Sequence, residues 1–220
     1  REANEKLKEL DQAKSEFMSI ASHQLRTPLS GIVGYLSMVV EGDYGTMPDD
    51  QKKVMNDLYQ ASQRLVRLVN TFLNVTRIEA GKFTLNLADT NLAELVSGEV
   101  NELKPTADKK GIKLLFDKPK QPVMVTVDAD KIRDVFLNLI DNAIKYTPEG
   151  SVAVFIEQQG DQAHFYTKDT GVGIAPGESD HLFEKFVRGT GIARVQPNGS
   201  GLGLYIVKKI TEAHNGKVWV

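Results

Sequence analysis

The chain has 220 residues, with 27 lysines and arginines against 29 aspartates and glutamates, and it contains no cysteine. This length allows one large domain or two small ones, and a net charge of −2 offers no basic field for nucleic acid or a membrane surface. The lack of cysteine excludes disulfides, thiolate metal sites and a cysteine nucleophile. The longest uncharged stretch, 27–40, has 14 residues, fewer than the ~20 that a membrane-spanning helix needs. We therefore expect a cytoplasmic chain that contacts neither nucleic acid nor a membrane.

Two long helices are predicted in residues 1–80. The first covers 1–41, a turn-rich stretch covers 42–48, and the second helix ends at Gly81, a residue typical of helix C-termini. Two helices joined by a short loop form an antiparallel hairpin, whose apolar seam stays in water unless a second copy covers it. The sequence therefore predicts a homodimeric four-helix bundle through residues 1–80. The seam residues, spaced alternately by four and three, are Val54, Leu58, Ala61, Leu65, Leu68, Phe72 and Val75.

The pattern changes after Gly81, where alternating strands and helices begin. Three helices against one mixed sheet predict a two-layer α/β sandwich, so the fold class is α + α/β. A strand that begins at Lys217 is still open at Val220, which predicts that the domain is cut short there. The predicted helices cover 91–110, 130–146 and 201–214, and the other predicted strands cover 83–88, 112–116, 123–127, 151–158 and 162–168.

His23 is the first residue that suggests chemistry. It lies on the first helix within the segment 22–29, close to Pro28. A proline inside a helix removes the hydrogen bond to the carbonyl group four residues earlier, here that of Gln24, and usually bends the helix. From these residues alone, a solvent-facing histidine beside an accidental bend remains the alternative interpretation.

A second cluster lies at the end of the helix 130–146. Asn138 and Asn142 are four residues apart and share one helix face. Their neutral amide oxygens are suitable ligands for Mg²⁺, which takes few protein ligands and keeps its phosphates and waters. Lys145 supplies positive charge for a phosphate, and Tyr146 a flat face for a base. The same residues are also compatible with an ordinary polar helix face.

Two glycine-rich segments follow. Asp169 ends a predicted strand and precedes Gly171 and Gly173, so the backbone can approach a flat ligand while the carboxylate accepts from the exocyclic amine of adenine. A second run of glycines leads into the last helix, whose free N–H groups suit phosphates. Ordinary turns are the alternative. That run contains Gly199, Gly201 and Gly203.

In this order, the motifs resemble the catalytic core of a two-component sensor histidine kinase over essentially the whole chain. The resemblance implies a dimerisation and phosphoacceptor hairpin at 1–80 and a GHKL-type ATP-binding domain, with the Bergerat fold, at 81–220. The matching residues are His23 in the H-box; Asn138, Asn142, Lys145 and Tyr146 in the N-box; Asp169, Gly171 and Gly173 in the first glycine box; Phe183–Phe186 in the F-box; and Gly199, Gly201, Leu202 and Gly203 in the second glycine box.

The resemblance implies an activity and its partners. His23 would attack the γ-phosphate of ATP, and the phosphoryl group would pass to an aspartate in the receiver domain of a response regulator. Asn138 and Asn142 would hold Mg²⁺, and Arg188, in a predicted mobile lid at 185–198, would touch the γ-phosphate. The parent protein would carry an upstream sensor, and any membrane anchor would lie in that missing N-terminal part.

Two positions beside His23 complete the predicted catalytic set. Family members usually have glutamate or aspartate directly after the histidine, whereas this chain has Gln24, whose amide orients the ring but accepts no proton. Thr27 matches the position that family members use to dephosphorylate their partner. It is equally compatible with satisfying backbone groups freed by Pro28, so a bifunctional kinase and phosphatase stays open.

Two rival functions remain. An ATPase of the gyrase or Hsp90 kind resembles the same domain but places a glutamate, the base for water, where this chain has Asn138. A catalytically weak dimeric scaffold, signalling by helix motion alone, is favoured only by Gln24 and opposed by the intact nucleotide motifs.

Overall fold

The computed structural model describes residues 20, 21, 24, 25, 27–79, 83–187 and 201–220. The chain divides into two compact units, Arg1–Phe83 and Thr84–Val220. His23, Arg188 and Gly199, all predicted site residues, lie outside the described residues. So do the predicted division at Gly81 and nearly all of the predicted lid.

The first unit contains a helix, a loop and a second helix, as the sequence predicts. Residues 20, 21, 24 and 25 are helical, α1 continues over 27–41, and α2 covers Asp49–Glu79. Gly42, with φ of +95°, ends α1, because its N–H and that of Asp43 both donate to the Met38 carbonyl oxygen at 3.1 and 3.0 Å. Glycine adopts this left-handed conformation without a steric penalty.

The seam of α2 is largely open in the single chain. Five of its apolar side chains are 44–55% exposed, whereas Val75, at its end, is buried. A row of large apolar side chains along one helix face is costly to leave in water. The five are Val54, Leu58, Leu65, Leu68 and Phe72.

The described residues of the second unit, 84–187 and 201–220, form five strands and three long helices. The helices α3 and α4 pack against the face of the sheet on which Val152, Val154 and Ile156 are buried. The ring of Phe136 on α4 packs against that of Phe165 on β5 in a tilted arrangement, with centroids 4.4 Å apart. The elements are β1 (Ala88–Asn91), α3 (Leu92–Lys109), β2 (Lys113–Phe116), β3 (Met124–Val127), α4 (Ala129–Tyr146), β4 (Ser151–Gln159), β5 (Gln162–Asp169), a short 3₁₀ turn (Ser179–His181) and α5 (Gly203–Ala213).

The structure confirms the predicted α + α/β fold class and its mixed sheet, but that sheet contains three of the five described strands. The strands β2, β4 and β5 form a mixed sheet in which β2 is parallel and β5 antiparallel to β4, while β1 and β3 form a separate antiparallel pair. Strand patterns give the faces of strands but not their partners, so the split was not visible in the sequence.

Two predicted strand bounds were wrong. The first strand begins at Ala88 rather than at residue 83, because its partner β3 has only four residues to pair with, and the N–H of Asn86 donates instead to the Asp128 carboxylate at 2.9 Å. Residues 217–220 form no strand. Their Trp219 ring lies 6.2 Å from that of His164 on β5, but they make no ladder with it.

Asp128 fixes the start of α4. Its buried carboxylate accepts from the backbone N–H groups of Lys131 and Asn86 at 3.1 and 2.9 Å. Its own N–H donates to Nε2 of His214, whose Nδ1 bonds to the Ile210 carbonyl oxygen, so the start of α4 is tied to the end of α5. Burial pushes the pKa of the Asp128 carboxyl upward, but the backbone donors outweigh it and hold the pKa below its usual value.

We expect Asp128→Ala to lower the unfolding free energy by about 1–2 kcal/mol, the typical cost of losing an N-cap. Because the folded-state pKa of Asp128 is lowered, its contribution is present above the pKa of the unfolded carboxyl. It is lost as pH falls through the folded-state value. Urea unfolding of both proteins checks this: the difference should be full at pH 7 and shrink below about pH 4. A difference that stayed constant into strong acid would contradict the role of the carboxylate.

Candidate functional site

The first glycine segment packs against the end of α4. The N–H of Val172 donates to the Tyr146 carbonyl oxygen at 3.1 Å. A Cβ atom added to Gly171 would overlap that same carbonyl group, so only glycine fits there. Oδ1 of Asp169 accepts from the N–H of Gly171 at 2.9 Å, an arrangement that orders the turn after β5. The structure thus brings three of the predicted site residues, Asp169, Gly171 and Tyr146, close together.

Gly173 plays a different part. Its φ is +70°, and apart from its two chain neighbours no heavy atom of the described residues lies within 4 Å of the position that a Cβ would occupy. Glycine is favoured there by the backbone angle alone.

The asparagine pair lies against the start of α5. Nδ2 of Asn138 donates to the backbone oxygen of Asp134 at 2.7 Å, which turns its Oδ1 away from its own helix. A Cβ on Gly203 would lie 2.8 Å from that Oδ1 and 4.0 Å from Nδ2 of Asn142. The structure therefore brings Asn138, Asn142 and Gly203 together.

The start of α5 is shaped by a second glycine contact. Gly201 has φ of +68°, and a Cβ there would lie 2.8 Å from the backbone of Phe186. The Gly201 carbonyl oxygen accepts from the N–H of Phe186 at 3.0 Å. Leu202 is buried and has no polar side-chain atom to cap the helix that begins at Gly203. The side chain of Leu202 therefore accepts no hydrogen bond from the first N–H groups of α5.

Lys145, predicted to supply positive charge for a phosphate, forms a salt bridge in the structure. Its ammonium is paired with the carboxylate of Asp141 one turn earlier on α4. The sequence placed Lys185 in the F-box and the predicted lid but did not indicate its contact with Tyr205 in the first turn of α5, whose ring centroid lies 5.1 Å from the Lys185 ammonium. Spacing along the chain gives no signal for that contact, because 20 residues separate the two.

Asp134 and Lys110 were also missed. Burial raises the pKa of the Asp134 carboxyl above its ordinary value, and its backbone oxygen orients Asn138. Lys110, which follows α3, donates to the carbonyl oxygens of Ile144 and Lys145 in the last turn of α4 at 2.8 and 3.1 Å. A lysine on α4 within two turns of the N-box would have been detectable from the sequence. Lys110 follows a different helix, so no local pattern indicated its contacts with α4.

Two domain families match the chain. Residues 13–81 match the His Kinase A (phospho-acceptor) domain, and residues 127–220 match the histidine kinase-, DNA gyrase B-, and HSP90-like ATPase domain. The second family groups three kinds of protein, but the first is specific to phosphoacceptor hairpins of kinases. The chain belongs to the sensor histidine kinase family.

Relatives of this kinase core agree with the assignment. It is 37% identical to the sensor protein SrrB of Staphylococcus aureus over 210 residues, which are 95% of this chain and 36% of that protein. It is 33% identical to the circadian input-output histidine kinase CikA of Synechococcus elongatus over 211 residues, which are 94% of this chain and 28% of CikA. The chain thus spans about a third of the length of these curated relatives.

Solved structures show the same fold. The crystal structure of full-length ShkA in complex with AMPPNP superposes with a TM-score of 0.71 at 29% identity, covering 91% of this kinase core and 41% of that chain. The histidine kinase AdeS of Acinetobacter baumannii gives a TM-score of 0.59 at 26% identity, covering 87% and 86%. Among the described residues, none of the helices is long and apolar enough to cross a membrane.

Proposed function

We propose that the chain is an ATP-dependent protein histidine kinase that phosphorylates its own His23 and passes the phosphoryl group to an aspartate of a response-regulator receiver domain. The observation that carries this proposal is the arrangement along α4. Tyr146 and the Asp169 turn lie at its C-terminal end, and Asn138 meets Gly203 eight residues earlier, about 12 Å along the axis. This spacing suits a ligand with a flat base at one end and phosphates at the other.

The base end would bind adenine. Oδ1 of Asp169 is engaged by Gly171, which leaves Oδ2 as the acceptor for the exocyclic amine of the base. Tyr146 would pack near the ring, and Gly171 and Gly173 let the backbone come close to it. A guanine base has an oxygen at the matching position, so the carboxylate selects adenine.

The phosphate end would lie between α4 and the start of α5. Gly201, Leu202 and Gly203 lie at the start of α5, where the side chain of Leu202 makes no capping hydrogen bond and the helix end carries partial positive charge. Arg188 completes the set that we propose for the γ-phosphate, and Gly199 belongs to the same glycine segment. Lys145 lies next to Tyr146 at the base end, so its ammonium would reach back only to the phosphate nearest the base.

The residues present fit a magnesium ion. Oδ1 of Asn138 is directed away from its own helix by the bond from Nδ2 to Asp134, and Asn142 lies one turn on. These are hard, neutral oxygen ligands, and the ion would neutralise charge that accumulates on the phosphates. We propose Asn138 and Asn142 as the side chains that hold it.

The chemical step is an in-line phosphoryl transfer. The unprotonated ring nitrogen of His23 forms a bond to the γ-phosphorus, the bond from that phosphorus to the bridging oxygen breaks, and ADP leaves with the electron pair. The proton on the other ring nitrogen is then released to water, because Gln24 has no basic oxygen for it. The protein's contribution is positioning and charge neutralisation.

The assembly would be a homodimer in the cytoplasm. We propose that the exposed seam of α2 pairs with a second copy through residues 1–80, since this burial is the simplest way to remove its apolar side chains from water. The ATP-binding domain at 81–220 would then swing on the segment near Gly81 to reach His23.

Incubation with γ-labelled ATP tests the proposal. We expect acid-labile, alkali-stable label on the wild-type chain, none on His23→Ala, and wild-type labelling of the matched control His164→Ala on β5. Steady phosphate release without label would instead indicate an ATPase. Neither label nor phosphate release would indicate a scaffold.

We expect Gly203→Ala to weaken binding of magnesium ATP about 10-fold while leaving the unfolding temperature almost unchanged. The added methyl group would lie 2.8 Å from Oδ1 of Asn138, so the amide must turn and lose its bond to Asp134. Titration calorimetry with and without magnesium measures this. An affinity loss of equal size in both conditions would contradict the role of Asn138 as a metal ligand.

A further inference from the structure

Lys110 completes the end of the helix that carries the nucleotide residues. Its ammonium donates to the carbonyl oxygens of Ile144, Lys145 and Thr147 at 2.8, 3.1 and 3.3 Å. A lysine ammonium has three N–H donors, so these three carbonyls use its full capacity.

The carbonyl groups in the last turn of α4 accept hydrogen bonds from residues that lie outside the helix. The final four carbonyl groups of any α-helix lack partners within it. Here the hydroxyl of Thr147 donates to the carbonyl oxygen of Ala143 at 2.7 Å, and the ammonium of Lys110 donates to the next two carbonyl oxygens along the helix. The N–H of Val172 donates to the carbonyl oxygen of Tyr146. Lys110 is the charged member of this set, and it faces the negative end of the helix dipole.

This turn is also where the base end of the site is built. Tyr146 lies in it, and its carbonyl group holds the turn that contains Gly171. Without the ammonium, two carbonyl groups lose their partner and the turn frays more easily. The uncompensated negative helix end would also oppose the charge of an approaching ATP.

We propose that Lys110 is a positioning residue for ATP binding, which holds the base end of the site through the last turn of α4 without touching the nucleotide. This inference rests on the proposed function. It concerns affinity rather than transfer, because the phosphate end lies about 12 Å away along α4.

The test uses the intact chain and the variant Lys110→Met. We expect the ATP dissociation constant to rise about 10-fold, while the autophosphorylation rate at saturating ATP stays within about two-fold of wild type. Lys110→Arg, which keeps charge and donors, should recover most of the affinity. Lys109→Met, which removes the exposed neighbouring lysine, should behave as wild type.

Several outcomes would overturn the inference. A lower unfolding temperature with unchanged ATP affinity would make Lys110 a cap of the fold alone. Equal losses for Lys110→Met and Lys109→Met would indicate a general charge effect. If Lys110→Met does not fold, Lys110→Gln takes its place with the same expected direction. A wild-type chain that binds no ATP would instead refute the proposed function, and this inference with it.

Discussion

Gly171→Ala is expected to abolish ATP binding within the measurable range, at least about 100-fold, and to lower the unfolding free energy by about 3 kcal/mol. A Cβ at this position would overlap the carbonyl group of Tyr146, which is backbone and cannot rotate away. That carbonyl also accepts from Val172, so any shift that relieves the overlap breaks this bond. Calorimetric ATP titration and urea unfolding of the variant measure the two effects.

Gly173→Ala is the matched control. It changes the same residue type two positions on, but open space surrounds its Cβ position and only the positive φ is unfavourable. We expect a loss of about 1 kcal/mol in stability and a loss of ATP affinity of about ten-fold, smaller than that of Gly171→Ala because the added methyl group would meet only the bound base. If the two variants were equally affected, backbone strain rather than the contact with Tyr146 would explain Gly171.

Gly171 and Gly173 show how much of this turn could be predicted from the sequence. The motif from Asp169 to Gly173 predicts a turn, which occurs in the structure, while the close approach of its backbone to a flat ligand stays a prediction. It does not tell which glycine is required by a neighbouring group, because that depends on where the end of α4 lies. The distance in sequence between Tyr146 and Gly171 is 25 residues.

The sequence predicted the elements that depend on neighbouring residues better than those that depend on distant partners. The helices α3 and α4 begin within a residue of their predicted starts, and in the structure Asn91 and Asp128, residue types typical of N-caps, cap them there. The hairpin of β4 and β5 is likewise local, with its turn at 160–161. The bounds of β1, the separate pair of β1 with β3, and the ends at 217–220 depend on distant partners, so local patterns missed them.

The same division holds within the candidate site. Asn138, Asn142 and Tyr146 were predicted because they share one helix. Gly203 and Gly171 were predicted as residue types in motifs, but their contacts with α4 required the structure. No local pattern indicated the role of Lys110, since its ammonium donates to carbonyl oxygens of residues 34 and 35 positions away. A site on one helix is readable in sequence, whereas the residues that hold that helix in place are not.

Gln24→Glu is expected to raise the initial rate of autophosphorylation about 100-fold at neutral pH, the lower range of what a positioned general base contributes. Glutamine can accept a hydrogen bond from the ring N–H of His23 but cannot take its proton, whereas a glutamate does both. Gln24 is exposed and helical, and the two residues have nearly equal helix propensity, so the fold should be unchanged. Initial rates of label incorporation at saturating ATP provide the measurement.

Two comparisons separate proton transfer from orientation. If Gln24 already orients the ring, Gln24→Ala should be slower than wild type, so the order of rates is glutamate, glutamine, alanine. Because an exposed glutamate is protonated with a pKa near 4.3, the advantage of Gln24→Glu should vanish as pH falls through about 4 to 5. A glutamate variant as slow as wild type at neutral pH would show that proton removal does not limit the reaction, and that the glutamine is no handicap to this kinase.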